Sequence, residues 1–379
     1  MPLVGCSEGR GSHMSRRVRQ EGQVDVPVPR VLVIVEGSGG GHRLSYVAQL
    51  VGAGLRAGLD VHLLTSPGVV NSREFAMHLR NHRDDMTVVD DQIPALRRVR
   101  QYATAHGPCH VVVPDGDRMA LRVGASGRWR STNSMSILIM RDPRIESPTS
   151  FLRVAKLSLK LALIRRAQRL PRVKIYWLRS AGTFPAYDTA DCIEDPVTLT
   201  HTPVSVCNLR REWRLDEDRF WFGVVGALSA RKNIDLICQA LSIVNRPVGL
   251  LIAGEPSSGF RLDDAALERL MNAGVIVRRV LRSLTDAEVD SALAALDCAL
   301  IVHTNEGPSG ILGKCMAIGT RVVVGGALSL RRDIEQVGSG RWVPLATDRL
   351  AVAMEQAVDD DRPAVAIAAA IPQLDRLLR

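Results

Sequence analysis

Short, wholly apolar runs alternate along the chain with longer stretches in which apolar residues recur every three or four positions. A brief apolar run bounded by turn residues suits a strand buried on both faces, and three-to-four spacing suits a helix packed along one side. Val31–Val35 is the first such strand, followed by the glycine-rich turn Gly37–Gly41 and a helical pattern over Arg43–Leu55 that Gly58 closes. Asp60–Thr65 returns a strand, so the segment reads as one βαβ unit and predicts a parallel sheet with right-handed crossovers. Further strands are predicted at Thr87–Val89, His110–Val113, Ser136–Met140 and Val173–Leu178, with helical segments between them.

The alternation then starts again. Phe220–Val225 reads as a strand and Ile234–Val244 as a helix, then come strand Val248–Ala253, helix Asp263–Ala273, strand Val275–Val280 and helix Asp286–Leu296. Strand Cys298–His303, helix Ser309–Ile318, strand Arg321–Val324 and helix Asp348–Val358 complete the series. The expected architecture is α/β: two doubly wound Rossmann-like domains, residues 30–200 and 201–363, facing across a cleft at the carboxyl ends of their strands. Residues 364–379 are expected to return to the N-terminal domain. Residues 1–29 read as a disordered leader, and Gly11–Met14 has the look of a cloning remnant, which sets the native start at Met14 or later.

Composition narrows the function classes. At 379 residues the chain can bury two cores, and no apolar window is long enough to span a membrane. Seven cysteines stand without a paired spacing, which argues for a reducing, cytoplasmic setting and against a zinc site. The net charge of +9 fits a phosphorylated small molecule or anionic lipid, or serves solubility alone. Nucleic acid is disfavoured because aromatics are few and no nucleic-acid-binding motif is present.

Two loops carry candidate chemistry. Gly226–Asn233 follows a buried strand and opens a helix, where free amides and the helix dipole favour an anion. Arg231 and Lys232 add charge, and Asn233 is placed to cap the helix. The same residues also suit a plain strand-to-helix turn with solvated basic side chains. Asn305, Glu306, Gly307, Pro308, Ser309, Gly310 and Ile311 follow the strand Cys298–His303. Their glycines allow close backbone approach to a ligand, Glu306 offers an acceptor for sugar hydroxyls, and Lys314 lies one turn into the next helix.

Residues 220–358 resemble the donor-binding domain of the retaining GT-B glycosyltransferases, the family-4 group. The resemblance rests on the glycine–lysine turn, Ala253-Gly-Glu-Pro256, Ala295-Leu-Asp297, Glu306-Gly-Pro-Ser-Gly310 and Lys314-Cys-Met-Ala-Ile-Gly-Thr-Arg-Val-Val323, in that order. It implies a GT-B-like fold and transfer of a sugar from a nucleoside diphosphate sugar to an acceptor hydroxyl with retention. The nucleotide sugar would be co-substrate, with no cofactor and no metal. Gly226, Arg231 and Lys232 would hold the diphosphate, Glu306 the transferred sugar, and residues 307–311 the sugar and phosphate through backbone amides. Lys314 falls where the family has a second acid, on the ribose, and Ala227 where an arginine is common.

In the N-terminal half, Gly39, Gly40, Gly41 and His42 match the family's acceptor-side loop. Pro114-Asp-Gly-Asp117 stands where a donor-contacting histidine is usual, and Asp115 or Asp117 would bind sugar hydroxyls there, unless the segment is a plain turn. The glycine loop is no dinucleotide fingerprint, since His42 replaces the third glycine and Thr65 the ribose acid. Residues 147–187 hold no Asp or Glu, and Phe151–Arg169 reads as a basic amphipathic helix suited to an anionic membrane surface, or as a packed helix with a basic solvent face. The acceptor is unspecified: a glycan, a lipid-linked sugar or a small molecule. Lys314 and Ala227 also leave room for a non-catalytic scaffold, a regulatory partner or a pseudo-glycosyltransferase.

Overall fold

Each apolar run of the first half joins one parallel sheet. In the computed structural model, which describes residues 30–40, 43–129, 133–144, 151–180, 191–361, 366 and 373–378, the first strands and helices are β1 (Val31–Val35), α1 (Arg43–Arg56), β2 (Asp60–Leu64), α2 (Arg73–His78) and β3 (Thr87–Val89). They continue with α3 (Leu96–Ala105), β4 (Cys109–Val113), α4 (Asp117–Ser126), β5 (Ser134–Ile139), α5 (Phe151–Gln168), β6 (Val173–Arg179) and β7 (Cys192–Glu194). The strand order is β3-β2-β1-β4-β5-β6-β7, every pair parallel, so the order reverses between β1 and β4. Period-two alternation divides β1 between two cores. Leu32 and Ile34 pack with Leu44, Val47 and Leu50 of α1, while Val33 and Val35 pack with Val99 of α3 and Ala120 of α4.

The second half repeats the plan with α6 (Pro203–Glu212), β8 (Phe220–Val225), α7 (Ile234–Leu241), β9 (Val248–Ala253), α8 (Asp264–Asn272) and β10 (Ile276–Val280). It closes with α9 (Asp286–Ala295), β11 (Cys298–His303), α10 (Gly310–Ile318), β12 (Arg321–Gly326), α11 (Leu328–Val337), β13 (Arg341–Val343) and α12 (Thr347–Val358). The order β10-β9-β8-β11-β12-β13 reverses between β8 and β11. Phe222 and Val224 face one core, Trp221 and Val225 the other. The short strands β7 and β13 and the helices α6 and α11 are additions to the elements predicted from sequence.

The segment Leu374–Leu378 lies on the N-terminal domain. Leu374 and Leu377 join the core of α1, His110 Nε2 meets the Leu377 carbonyl at 2.6 Å, and the Tyr176 hydroxyl donates to the Arg376 carbonyl at 3.1 Å. The predicted leader, Gly41 and His42 lie outside the described residues. No described helix is long and apolar enough to cross a membrane.

Candidate active site

The two reversal points face each other across a cleft of about 970 Å³, lined from one side by the ends of β1 and β4 and from the other by the ends of β8, β9 and β11. Such a volume suits a ligand of sugar-nucleotide size.

The basic loop after β8 is shaped by backbone contact. Gly226 takes φ 95°, and Gly254, with φ 146°, lies so close that a Cβ there would fall 2.2 Å from the Gly226 carbonyl oxygen. Side chains would not fit at this crossing. The chain then makes a 3-10 turn over Ala230–Lys232, which turns Lys232 inward until it is only 6 % exposed. Its Nζ donates to the Val225 carbonyl at 2.7 Å. Burial, helped by the charge of Arg231, lowers the Lys232 ammonium to about 8. The Arg231 guanidinium reaches Asn305 Oδ1 at 3.4 Å. Asn233 holds the N-cap position of α7 but does not cap it. Its backbone is left-handed at φ 49°, and its amide donates to the carbonyls of Arg231 and Val302, both at 3.1 Å, which ties the loop to β11.

The loop after β11 is equally constrained. Ser309 caps α10 by accepting from the Leu312 amide at 3.3 Å, so Gly310 and Ile311 form the helix's first turn beside the cleft, and Ile311 packs toward Gly226. Gly307 has φ 131° and donates its amide to Ser329 Oγ at 3.0 Å, while Pro308 continues the cleft wall. Glu306 accepts from the amides of Leu328 and Ser329 at 2.9 and 2.8 Å, one bond to each carboxylate oxygen. It therefore caps the N-terminus of α11, and any sugar contact must share that carboxylate. His303, at the end of β11, is lowered to about 4 by burial and by Lys232 and Arg231, so it stays neutral at physiological pH.

Lys314 occupies the first turn and a half of α10, but its ammonium is committed. It pairs with Asp290 of α9, which is fully buried, and donates to the Thr198 carbonyl at 3.1 Å. It thus holds the segment that links the domains while still lining the cleft.

On the opposite wall, Asp115 Oδ2 meets Arg43 Nη2 at 2.7 Å. Asp117 accepts from the amides of Met140 and Arg141 at 2.8 and 3.4 Å, and burial raises its carboxyl. Gly40 lines the cleft and Gly39 lies against Ser72. Three groups add to those predicted from sequence: Glu36, directly after β1, and the Tyr46–Asp195 pair, whose hydroxyl donates to the carboxylate at 2.5 Å. The position of Glu36 at a strand's carboxyl end was a usable signal, whereas Tyr46 and Asp195 are 149 residues apart. Among the described residues no three His, Cys, Asp or Glu side chains gather closely enough to hold a metal ion.

Residues 207–372 match the family model described as glycosyl transferases group 1. The C-terminal domain is a group 1 glycosyltransferase domain. No curated protein matches the chain. Solved glycosyltransferases share its two-domain form. HepE of Anabaena, solved with UDP, is 15% identical over 92% of this chain and 93% of its own, with a TM-score of 0.60. In its complex with UDP-glucose the values are 17%, 87%, 90% and 0.57. Sucrose-phosphate synthase from Thermosynechococcus elongatus is 14% identical over 92% and 93%, with a TM-score of 0.60. The fold of the chain is GT-B.

Proposed function

We propose that the protein moves a sugar from a nucleoside diphosphate sugar to an acceptor hydroxyl, with retention of configuration and without a divalent metal. The observation that carries the reading is the buried ammonium of Lys232 beside Gly226, with Arg231 and the first turn of α10 around the same corner of the cleft. Positive charge preorganised there stabilises the charge that grows on the departing diphosphate. As the bond from the sugar's anomeric carbon to the phosphate oxygen breaks, the acceptor oxygen attacks from the same face and passes its proton to a leaving diphosphate oxygen. HepE binds UDP and UDP-glucose, so UDP-sugars are the first donors to test. Donor consumption with a hydroxylated acceptor mixture, in the presence of EDTA, tests the reading. Turnover that requires added magnesium or manganese would refute its metal-free form.

We further infer a peripheral seat on anionic membrane, from the surface of α5. Its inner side buries Ile164 and Ala167, while Phe151, Leu152 and Leu159 stand 84, 78 and 61 % exposed. Arg153, Lys156, Arg165 and Arg166 flank them, and no acid lies in the helix. Apolar side chains beside basic ones match the boundary of an anionic bilayer. The thiols of Cys109, Cys207, Cys238, Cys298 and Cys315 are free, which supports a reducing compartment and thus the cytoplasmic side of that membrane.

A further inference from the structure

Two arginines from different domains meet at one corner of the cleft. Arg141 belongs to the turn after β5 of the N-terminal domain, yet its stem lies against the C-terminal domain, where its Cγ is 3.4 Å from the place a Cβ on Gly307 would take. Asp117 Oδ1 holds that turn by accepting from the Met140 and Arg141 amides, which fixes where the Arg141 side chain begins. Across the cleft stands Arg231. Burial, and then the charge of Arg141, lowers the Arg231 guanidinium from its ordinary value. Neither guanidinium has a carboxylate partner among the described residues, and that of Arg141 makes no hydrogen bond there. Glu306, the acid of the same loop, gives both its oxygens to the amides of Leu328 and Ser329. The buried ammonium of Lys232 is likewise bonded only to a carbonyl.

Like charges gathered without a counter-ion repel in the empty cleft, and an anion placed between them turns that cost into attraction. Resting on the donor reading above, we propose that Arg141 is a catalytic residue supplied by the N-terminal domain, which completes with Arg231 and Lys232 a three-cation site for the leaving diphosphate. A guanidinium grips phosphate oxygens through two parallel N–H bonds, a geometry an ammonium cannot copy. As the bond to the anomeric carbon breaks, charge grows on the diphosphate, and Arg141 meets it from the wall opposite Arg231. The diphosphate thereby bridges the two domains. Asp117 acts here through Arg141, as the group that positions its turn.

Calorimetric titration of UDP, GDP and ADP into the full chain, without acceptor, tests the assignment on wild type, Arg141→Ala, Arg141→Lys and Arg97→Ala. Arg97→Ala removes an exposed charge of α3 outside the cleft and serves as the control for net charge. For a nucleotide that binds wild type, Arg141→Ala should weaken affinity about tenfold or more, the scale of a lost hydrogen bond to a charged group. Arg141→Lys should lose less, and Arg97→Ala should change nothing. The melting temperature of unliganded Arg141→Ala should not fall, because the side chain is exposed and its removal relieves a repulsion. A lowered melting temperature would make Arg141 structural and overturn the assignment. Nucleotide affinity that Arg141→Ala leaves intact, or that Arg97→Ala weakens equally, would also overturn it while leaving the donor site at Lys232 standing. A wild type that binds none of the three nucleotides would overturn the donor reading itself.

Discussion

The ammonium of Lys314 on α10 lies against the carboxylate of Asp290 on α9, and that carboxylate also accepts from the amide and hydroxyl of Thr200 at 2.8 and 3.0 Å. One buried ion pair thereby joins two helices of the C-terminal domain to the segment entering it. Removing one partner of such a pair leaves a buried charge uncompensated. Lys314→Ala should cost about 3 kcal/mol of stability. Lys314→Glu, which sets two carboxylates together, should cost more. The double substitution Lys314→Met with Asp290→Asn should recover most of the loss, as chemical denaturation will show.

Lys232 carries a pH signature. Its depressed value of about 8 means that the free protein loses this proton near pH 8, while a bound diphosphate holds it on. Diphosphate affinity should therefore fall as pH rises through 8, and binding at pH 9 should take up about one proton. Calorimetry in buffers of different ionisation enthalpy measures that uptake. The sign for stability is opposite. The unfolded chain keeps the proton up to its ordinary value near 10.5, so this residue makes stability rise between about pH 8 and that value. Lys232→Met should accordingly melt higher than wild type at pH 7 and bind diphosphate poorly.

Glu306 separates structure from chemistry. As the cap of α11 its removal should cost about 1 kcal/mol. Glu306→Gln keeps an acceptor for one of the two amides and should lose less. If the carboxylate also meets the transferred sugar, both variants should lose turnover well beyond their loss of stability while nucleoside diphosphate affinity stays close to wild type. Turnover that follows stability alone would leave Glu306 as a cap.

Helix α5 gives a prediction away from the cleft. Wild type should sediment with phosphatidylserine-containing vesicles in low salt and release as ionic strength rises, since exposed charges are screened. Leu152→Glu with Leu159→Glu should abolish sedimentation without shifting the melting temperature, because both side chains are already exposed.

Much of the frame was legible from sequence because its strands are buried on both faces. Runs such as Val31–Val35 and Val248–Ala253 have no other comfortable state, and the turns at Gly226 and Gly307 lie at strand ends where the pattern places them. The positions of Lys232 and Glu306 at the cleft followed from the same logic. Their partners did not. Glu306 caps a helix 22 residues downstream, Lys314 meets an acid 24 residues upstream on a different helix, and Asn233 trades capping for a carbonyl of β11. Each is a tertiary contact that leaves no local spacing to read. Phe151–Arg169 reads from sequence as a basic amphipathic helix, but its apolar residues are not gathered on one face. Packing against α4 buries Ile164 and Ala167 while Phe151, Leu152, Val154 and Leu159 remain in solvent.

The most direct test of the central claim is calorimetric titration of UDP, GDP and ADP into the wild-type protein and Lys232→Ala, at pH 7 in EDTA. At least one nucleotide should bind the wild type at a single site, and Lys232→Ala should weaken it by about 1.5–3 kcal/mol, the scale of a hydrogen bond to a charged group. Binding that appears only with magnesium or manganese, or equal affinity in both proteins, would contradict a metal-free diphosphate site at Lys232.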